Sequence, residues 1–123
     1  MENNNKDIRY LKAMLQFVDE IQEIASRQPL VDILDKPDVE LSAIMMKLTQ
    51  IGELVGRLSF NTIENYPDVP WIQIKGLRNT IVHEYEKVDR EQLKDVITTD
   101  LDSLKDMLND VVRNELRRTR NEF

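Results

Sequence analysis

The chain has 123 residues, 41% of them hydrophobic and 33% charged, with three glycines, four prolines and no cysteine. That length supports one core, the scarcity of glycine and proline favours long amphipathic helices over a turn-rich β architecture, and the absence of cysteine excludes disulfides and thiolate chemistry. A formal net charge of −6 argues against a general nucleic-acid binder, and a single histidine excludes a histidine-rich metal site built from one chain.

The expectation is therefore one all-α domain over residues 1–123, an antiparallel bundle of four main helices plus short helical turns. The opening Met1-Glu2-Asn3-Asn4-Asn5-Lys6-Asp7 lacks the apolar run of a signal peptide, and no apolar stretch approaches the roughly 20 residues that span a bilayer. A cytoplasmic protein without membrane contact is expected.

Asn4 or Asn5 can cap a first helix, in which Ile8, Leu11, Leu15, Val18, Ile21 and Ala25 recur at spacings of three and four and form one apolar stripe ending near Pro29. Leu30 to Lys36 reads as a short connection with apolar anchors. Pro37 closes it, and Asp38 can cap the second helix. That helix, about Val39 to Ser59, carries Leu41, Ile44, Met45, Leu48, Ile51, Val55 and Leu58 on a face wide enough to be core on more than one side. Gly52 and Gly56, four apart, let another helix approach closely, and Glu53 beside them reads first as a solvated or cap-linked carboxylate and second as a residue that orders a site.

Asn61 to Tyr66 fits one helical turn before Pro67-Asp68-Val69-Pro70 stiffens the chain. Pro70 suits the first turn of a third helix whose apolar stripe runs through Trp71, Ile74, Leu77, Ile81 and Val82, leaving Lys75, Arg78, Asn79 and His83 for the opposite surface. Asp89 with Gln92 forms a capping box for the last helix, so the third should end between Tyr85 and Val88. The last helix, from about Arg90 into the Arg113–Arg120 region, shows Leu93, Ile97, Leu101, Leu104, Leu108, Val111 and Leu116 as its stripe. Its basic end complements the helix macrodipole, with fraying expected from about residue 117.

Chemistry is concentrated between Pro70 and Asp89. Arg78, Asn79, His83 and Tyr85 fall within eight residues and supply a permanent cation, an amide, an imidazole and a phenol. On a helix Asn79 and His83 stack on one face, whereas Arg78 and His83 diverge by about 140° and need the arginine stem to meet in one cleft. On residue types alone, a histidine near a helix end is more often a cap or surface residue than a catalyst, and the function stays open.

The motif Arg78-Asn79-x-x-x-His83-x-Tyr85, with Tyr66-Pro67-x-Val69-Pro70-Trp71 upstream, Val88-Asp89 downstream and Ile51-Gly52-Glu53 on the second helix, resembles the HEPN superfamily. Within it the chain is similar to the HepT-like toxins of prokaryotic HEPN/nucleotidyltransferase toxin–antitoxin pairs. The resemblance implies an α-helical homodimer whose motif residues meet at an interface cleft and act on RNA as a metal-independent ribonuclease of a type VII-like system. It implies catalytic roles for Arg78 and His83, with Asn79 orienting the histidine or the substrate. It also implies that a partner nucleotidyltransferase silences the toxin by transferring AMP to Tyr85. No cofactor is expected. Two other readings compete: a non-catalytic dimerisation or binding module that docks the nucleotidyltransferase and is modified by it, and a structural bundle whose motif residues cap a helix.

Overall fold

The computed structural model describes residues 2–36 and 39–121, residues 2–4 by backbone alone. All of its regular structure is helical: α1 (Glu2–Ala25), α2 (Leu30–Asp35), α3 (Val39–Arg57), α4 (Phe60–Asn65), α5 (Trp71–His83), α6 (Arg90–Asp95) and α7 (Leu101–Asn121). A single 3₁₀ turn, Tyr85–Lys87, follows α5, and a π-helical segment, Val96–Asp100, joins α6 to α7. No helix among these residues is long and apolar enough to cross a membrane.

The pairings between helices give their directions. Asp7 meets Ser59 while Glu20 meets Lys47, so α1 and α3 run antiparallel. Gly52 abuts Arg78 while Gly56 lies nearest Lys75, so α3 and α5 do too. Gln22 bonds Asp102 and Asp19 pairs with Lys105, setting α7 antiparallel to α1. The result is the expected bundle with α3 at its centre, packed against α1 on one side and α5 on the other. Its Leu41, Ile44, Met45, Leu48, Ile51 and Val55 are all buried, as a helix core-facing on two sides requires, and so is Leu58 just past its end.

Several boundaries move. α1 starts at Glu2, because nothing in its first residues breaks a helix, so Asn5 lies inside it and is not its cap; Asn4 is also within the helix, and its side chain lies outside the described residues. The cap assigned to Asp38, with Pro37 before it, likewise falls outside them. Leu30–Asp35 is a helix and not an irregular connection: Pro29 at its N-cap has φ −55°, already suited to helix entry, and Ile33 and Leu34 are buried. Pro70 occupies the N-cap of α5, one place before the first turn. Asp89 caps α6 by accepting from the Glu91 N–H, two residues on, instead of forming the three-residue box with Gln92.

The stripes are also refined. Met14 and Ile24 are buried in α1, whereas Leu15 and Ala25 are only partly covered. At the end of α7 the expected core residue Leu116 is 38% exposed, and Val112 and Glu115 are buried in its place. The core line continues from Leu104 through Leu108, Val111 and Val112 to position 115, and it tolerates a carboxylate there only because that carboxylate is partnered. Glu115 accepts from the Tyr66 hydroxyl at 2.7 Å and from Arg118 at 3.3 Å. Burial and the Glu115 carboxylate push the Tyr66 phenol up to about 12. A second buried carboxylate, Asp7, accepts from the Ser59 N–H at 3.0 Å and from the Ser59 and Thr62 hydroxyls at 2.5 Å each, fastening the start of α1 to the α3–α4 corner.

The π segment coincides with Val96-Ile97-Thr98-Thr99, four β-branched residues in succession. Such side chains crowd the preceding helical turn, and the Thr98 hydroxyl donates to the Lys94 carbonyl at 2.7 Å, a back-bond that loosens regular α-helical pairing. α7 is helical through residue 117 and on to Asn121.

Candidate functional site

The site is built on α5. Its entry is fixed by Trp71, which is buried and donates its indole N–H to the Tyr66 carbonyl at 2.9 Å, while the same Tyr66 is held through its hydroxyl by Glu115 of α7. Its exit is abrupt. Glu84 leaves helical geometry with φ −141°, its N–H still bonding the Thr80 carbonyl at 2.8 Å, and the chain then folds into the 3₁₀ turn that carries Tyr85. Buried Val88 and the Asp89 cap anchor the far side of that turn.

Arg78 has its stem pressed against α3. A Cβ added at Gly52 would lie 2.3 Å from the Arg78 Cβ and 2.7 Å from its Cγ, so only glycine lets the two backbones come this close. The neighbouring Glu53 then receives the guanidinium on one carboxylate oxygen, Oε1, from Nε at 2.9 Å and also from Nη2. Nη1 donates to the Asn79 side-chain carbonyl at 2.9 Å. A guanidinium has five N–H donors. Among the described residues three are engaged, leaving two, one on each terminal nitrogen, as a pre-aimed fork suited to phosphate or carboxylate oxygens.

Glu53 is thus the residue whose role sequence reasoning ranked second: it orders the arginine. The signal was its place directly after Gly52, on the helix turn that faces Arg78. Asn79 spends its side-chain carbonyl on the arginine, and among the described residues it makes no hydrogen bond to His83. His83 is the last residue of α5 and is exposed, as are Asn79 and Tyr85, the latter by 47%. Among the described residues no hydrogen bond ties His83 to Arg78, Asn79 or Tyr85. The structure therefore brings Glu53, Arg78 and Asn79 into one cluster, and sets His83 and Tyr85 at the exposed end of the same helix without joining them to it.

Charges around the helix end are mixed. Glu84 and Lys87 pair loosely at 3.8 Å, and Glu86, Lys75 and Arg90 are exposed. No cluster of three or more potential metal-ligating side chains occurs among the described residues.

On the exposed face of α5, positions 72, 76, 79 and 83 follow one another at helical spacing. Ile72 is 83% exposed, and a Cβ at Gly76 would meet nothing within 4 Å. Glycine inside a helix costs about 1 kcal/mol relative to alanine, and nothing within the protomer requires it at this position.

Comparison with known proteins places the chain in a family. The HepT-like ribonuclease family model matches residues 14–111, which include every motif residue. A candidate RNase of Methanocaldococcus jannaschii is 25% identical over 86% of this chain and 91% of its own length. A candidate RNase of Caldanaerobacter subterraneus is 27% identical over 86% of this chain and 94% of its own, and a candidate ribonuclease HepT of Thermococcus cleftensis is 26% identical over 85% and 93%. No solved structure gives a significant match. With a helical bundle that holds Arg78 on Glu53 and presents His83 and Tyr85 at the end of the same helix, the chain belongs to the HepT-like ribonuclease family of the HEPN superfamily.

Proposed function

We propose that this protein is the toxin of a type VII-like toxin–antitoxin system, a homodimeric endoribonuclease whose cleft is lined by Arg78, Asn79 and His83 of both protomers. The observation that carries this reading is the guanidinium of Arg78, held by Glu53 and Asn79 with two N–H groups left over, on the helix that ends in the chain's one histidine.

In RNA the 2′-hydroxyl attacks the adjacent phosphorus. The P–O2′ bond forms and the P–O5′ bond breaks, yielding a 2′,3′-cyclic phosphate and a 5′-hydroxyl. A base must take the 2′ proton, an acid must protonate the departing 5′-oxygen, and a cation must stabilise the crowded phosphorane oxygens. Arg78 supplies the cation, and its fixed orientation lowers the reorganisation needed as charge develops. An imidazole serves as either base or acid, but one chain has a single histidine, so a twofold dimer supplies the pair. The face of α5 fits this assembly: exposed Ile72, Gly76 without a local reason, Asn79 and His83 form one line that a second α5 can approach closely. The proton work needs no metal.

Tyr85 is the off-switch in this reading. Its phenolate oxygen attacks the α-phosphorus of ATP on a partner nucleotidyltransferase, pyrophosphate leaves, and the AMP-tyrosine carries negative charge beside the phosphate fork. The exposure of Tyr85 just beyond His83 supports it as an acceptor.

The test is cleavage of a defined RNA in EDTA. Wild-type protein cleaves, while His83→Ala and Arg78→Ala do not. Mixed dimers with one His83→Ala chain retaining the full specific rate would remove the paired-histidine mechanism. Incubation with a cognate nucleotidyltransferase and ATP raises the intact mass by whole AMP units in wild type and not in Tyr85→Phe. Modification without any RNA cleavage would favour the binding-module alternative.

A further inference from the structure

Beyond the Glu53–Arg78–Asn79 cluster, the bundle has a groove of about 660 Å³ between α3, α5 and the α6–α7 run, to which none of Arg78, Asn79, His83 or Tyr85 contributes. Its floor is apolar. Ile51 of α3, Ile74 and Leu77 of α5, and Leu101, Leu104 and Met107 of α7 line it, and Ile74, Leu77 and Met107 are only partly covered by the rest of the chain. Its rim carries Asp89, Glu91, Asp95 and Asp100, and no lysine, arginine or histidine lines it. Asp89 caps α6, but Glu91, Asp95 and Asp100 have no ion-pair partner among the described residues. The π segment lies along this wall, with Asp95, Val96 and Asp100 lining the groove. Helices tolerate such a widened turn poorly, and π-bulges concentrate at functional sites.

We propose that this groove is the docking site for a cationic amphipathic helix of a partner protein. The walls dictate a helix. They are themselves helical, their backbone groups are already paired, and they offer no strand edge to an extended segment, so the occupant must satisfy its own backbone. The apolar residues from Leu101 to Met107 span about 9 Å along α7, room for two or three apolar side chains one turn apart. The rim dictates the charge: three or four uncompensated carboxylates around an apolar floor repel RNA and anionic segments and attract lysines and arginines flanking an apolar stripe. The groove shares α3 and α5 with the Glu53–Arg78 cluster, Ile74 standing one turn before Arg78, yet the proposal does not depend on RNA cleavage.

The test uses intact protein with methyl-labelled methionine and a designed helical Leu/Lys peptide of about 15 residues, with a Leu/Glu peptide of identical apolar pattern as comparison. The Leu/Lys peptide shifts the Met107 methyl signal while those of Met14 and Met46 stay in place, and the Leu/Glu peptide shifts none. Reversing two rim charges, Asp95→Lys with Asp100→Lys, weakens Kd by about tenfold or more, whereas the same charge change at Glu64→Lys with Asp110→Lys leaves it within about twofold. The proposal is overturned by failure of the Leu/Lys peptide to shift Met107, by equal binding of the acidic peptide, or by equal weakening from the two reversals. Concentration-dependent self-association that the rim reversal and Arg117→Glu each abolish would assign the groove to the basic α7 end of a second copy, and would overturn it as well.

Discussion

Replacement of Gly52 by alanine is the most direct probe of how the fold sets the site. The added Cβ falls 2.3 Å from the Arg78 Cβ, about 1 Å short of ordinary contact. The obstructing atom is attached to the α5 backbone and cannot rotate away, so α3 and α5 must separate or Arg78 must tilt. Overpacking of this kind costs about 1–3 kcal/mol, against which alanine's better helix propensity returns about 1 kcal/mol. The expected outcome is a net loss of up to about 2 kcal/mol in urea unfolding followed by circular dichroism. A displacement near 1 Å of a transition-state cation also lowers the rate of RNA cleavage by about 10²-fold. Gly56→Ala is the control, because its Cβ would meet only the far end of the Lys75 side chain, Nζ at 3.9 Å and Cε at 4.0 Å, and it should be neutral or slightly stabilising with normal cleavage. Wild-type stability and rate in Gly52→Ala would refute the close α3–α5 approach and the dependence of Arg78 on it.

Glu53→Ala releases two of the three bonds that hold Arg78, and kcat for RNA cleavage should fall about 10- to 100-fold with the fold intact by circular dichroism. Gly76→Ala adds a methyl where the protomer has space, so it should not destabilise the protomer, yet sedimentation should show weaker dimers if the α5 face is the interface. Asp7→Ala leaves three donors of Ser59 and Thr62 without their acceptor in a buried corner, and should cost about 3 kcal/mol of unfolding free energy. Tyr66 should ionise near pH 12 in an absorbance titration of phenolate. Its folded value lies above the unfolded value of 10, so its contribution to stability is complete below pH 10 and is lost as pH rises from 10 towards 12; Glu115→Gln should lower the midpoint.

The helical class, the central place of α3 and the position of the motif on α5 are legible in the amino-acid sequence, because apolar periodicity and proline placement are local signals. The stripe Leu41 to Leu58 needed no partner to be recognised. The pairings between distant segments emerge only once the helices have packed. Glu53 became the holder of Arg78 because Gly52 lets α5 settle against α3, a contact between residues 25 positions apart in sequence. Asn79 turned to the arginine because the guanidinium so placed lies within its reach. Glu115 displaced Leu116 from the core because Tyr66 stands opposite it, 49 positions away. The π segment followed from four β-branched residues legible in the chain, but the acidic groove it borders exists only where three helices converge. Periodicity tells which face of a helix is buried, whereas the partner of a buried polar group is set by where another helix comes to rest.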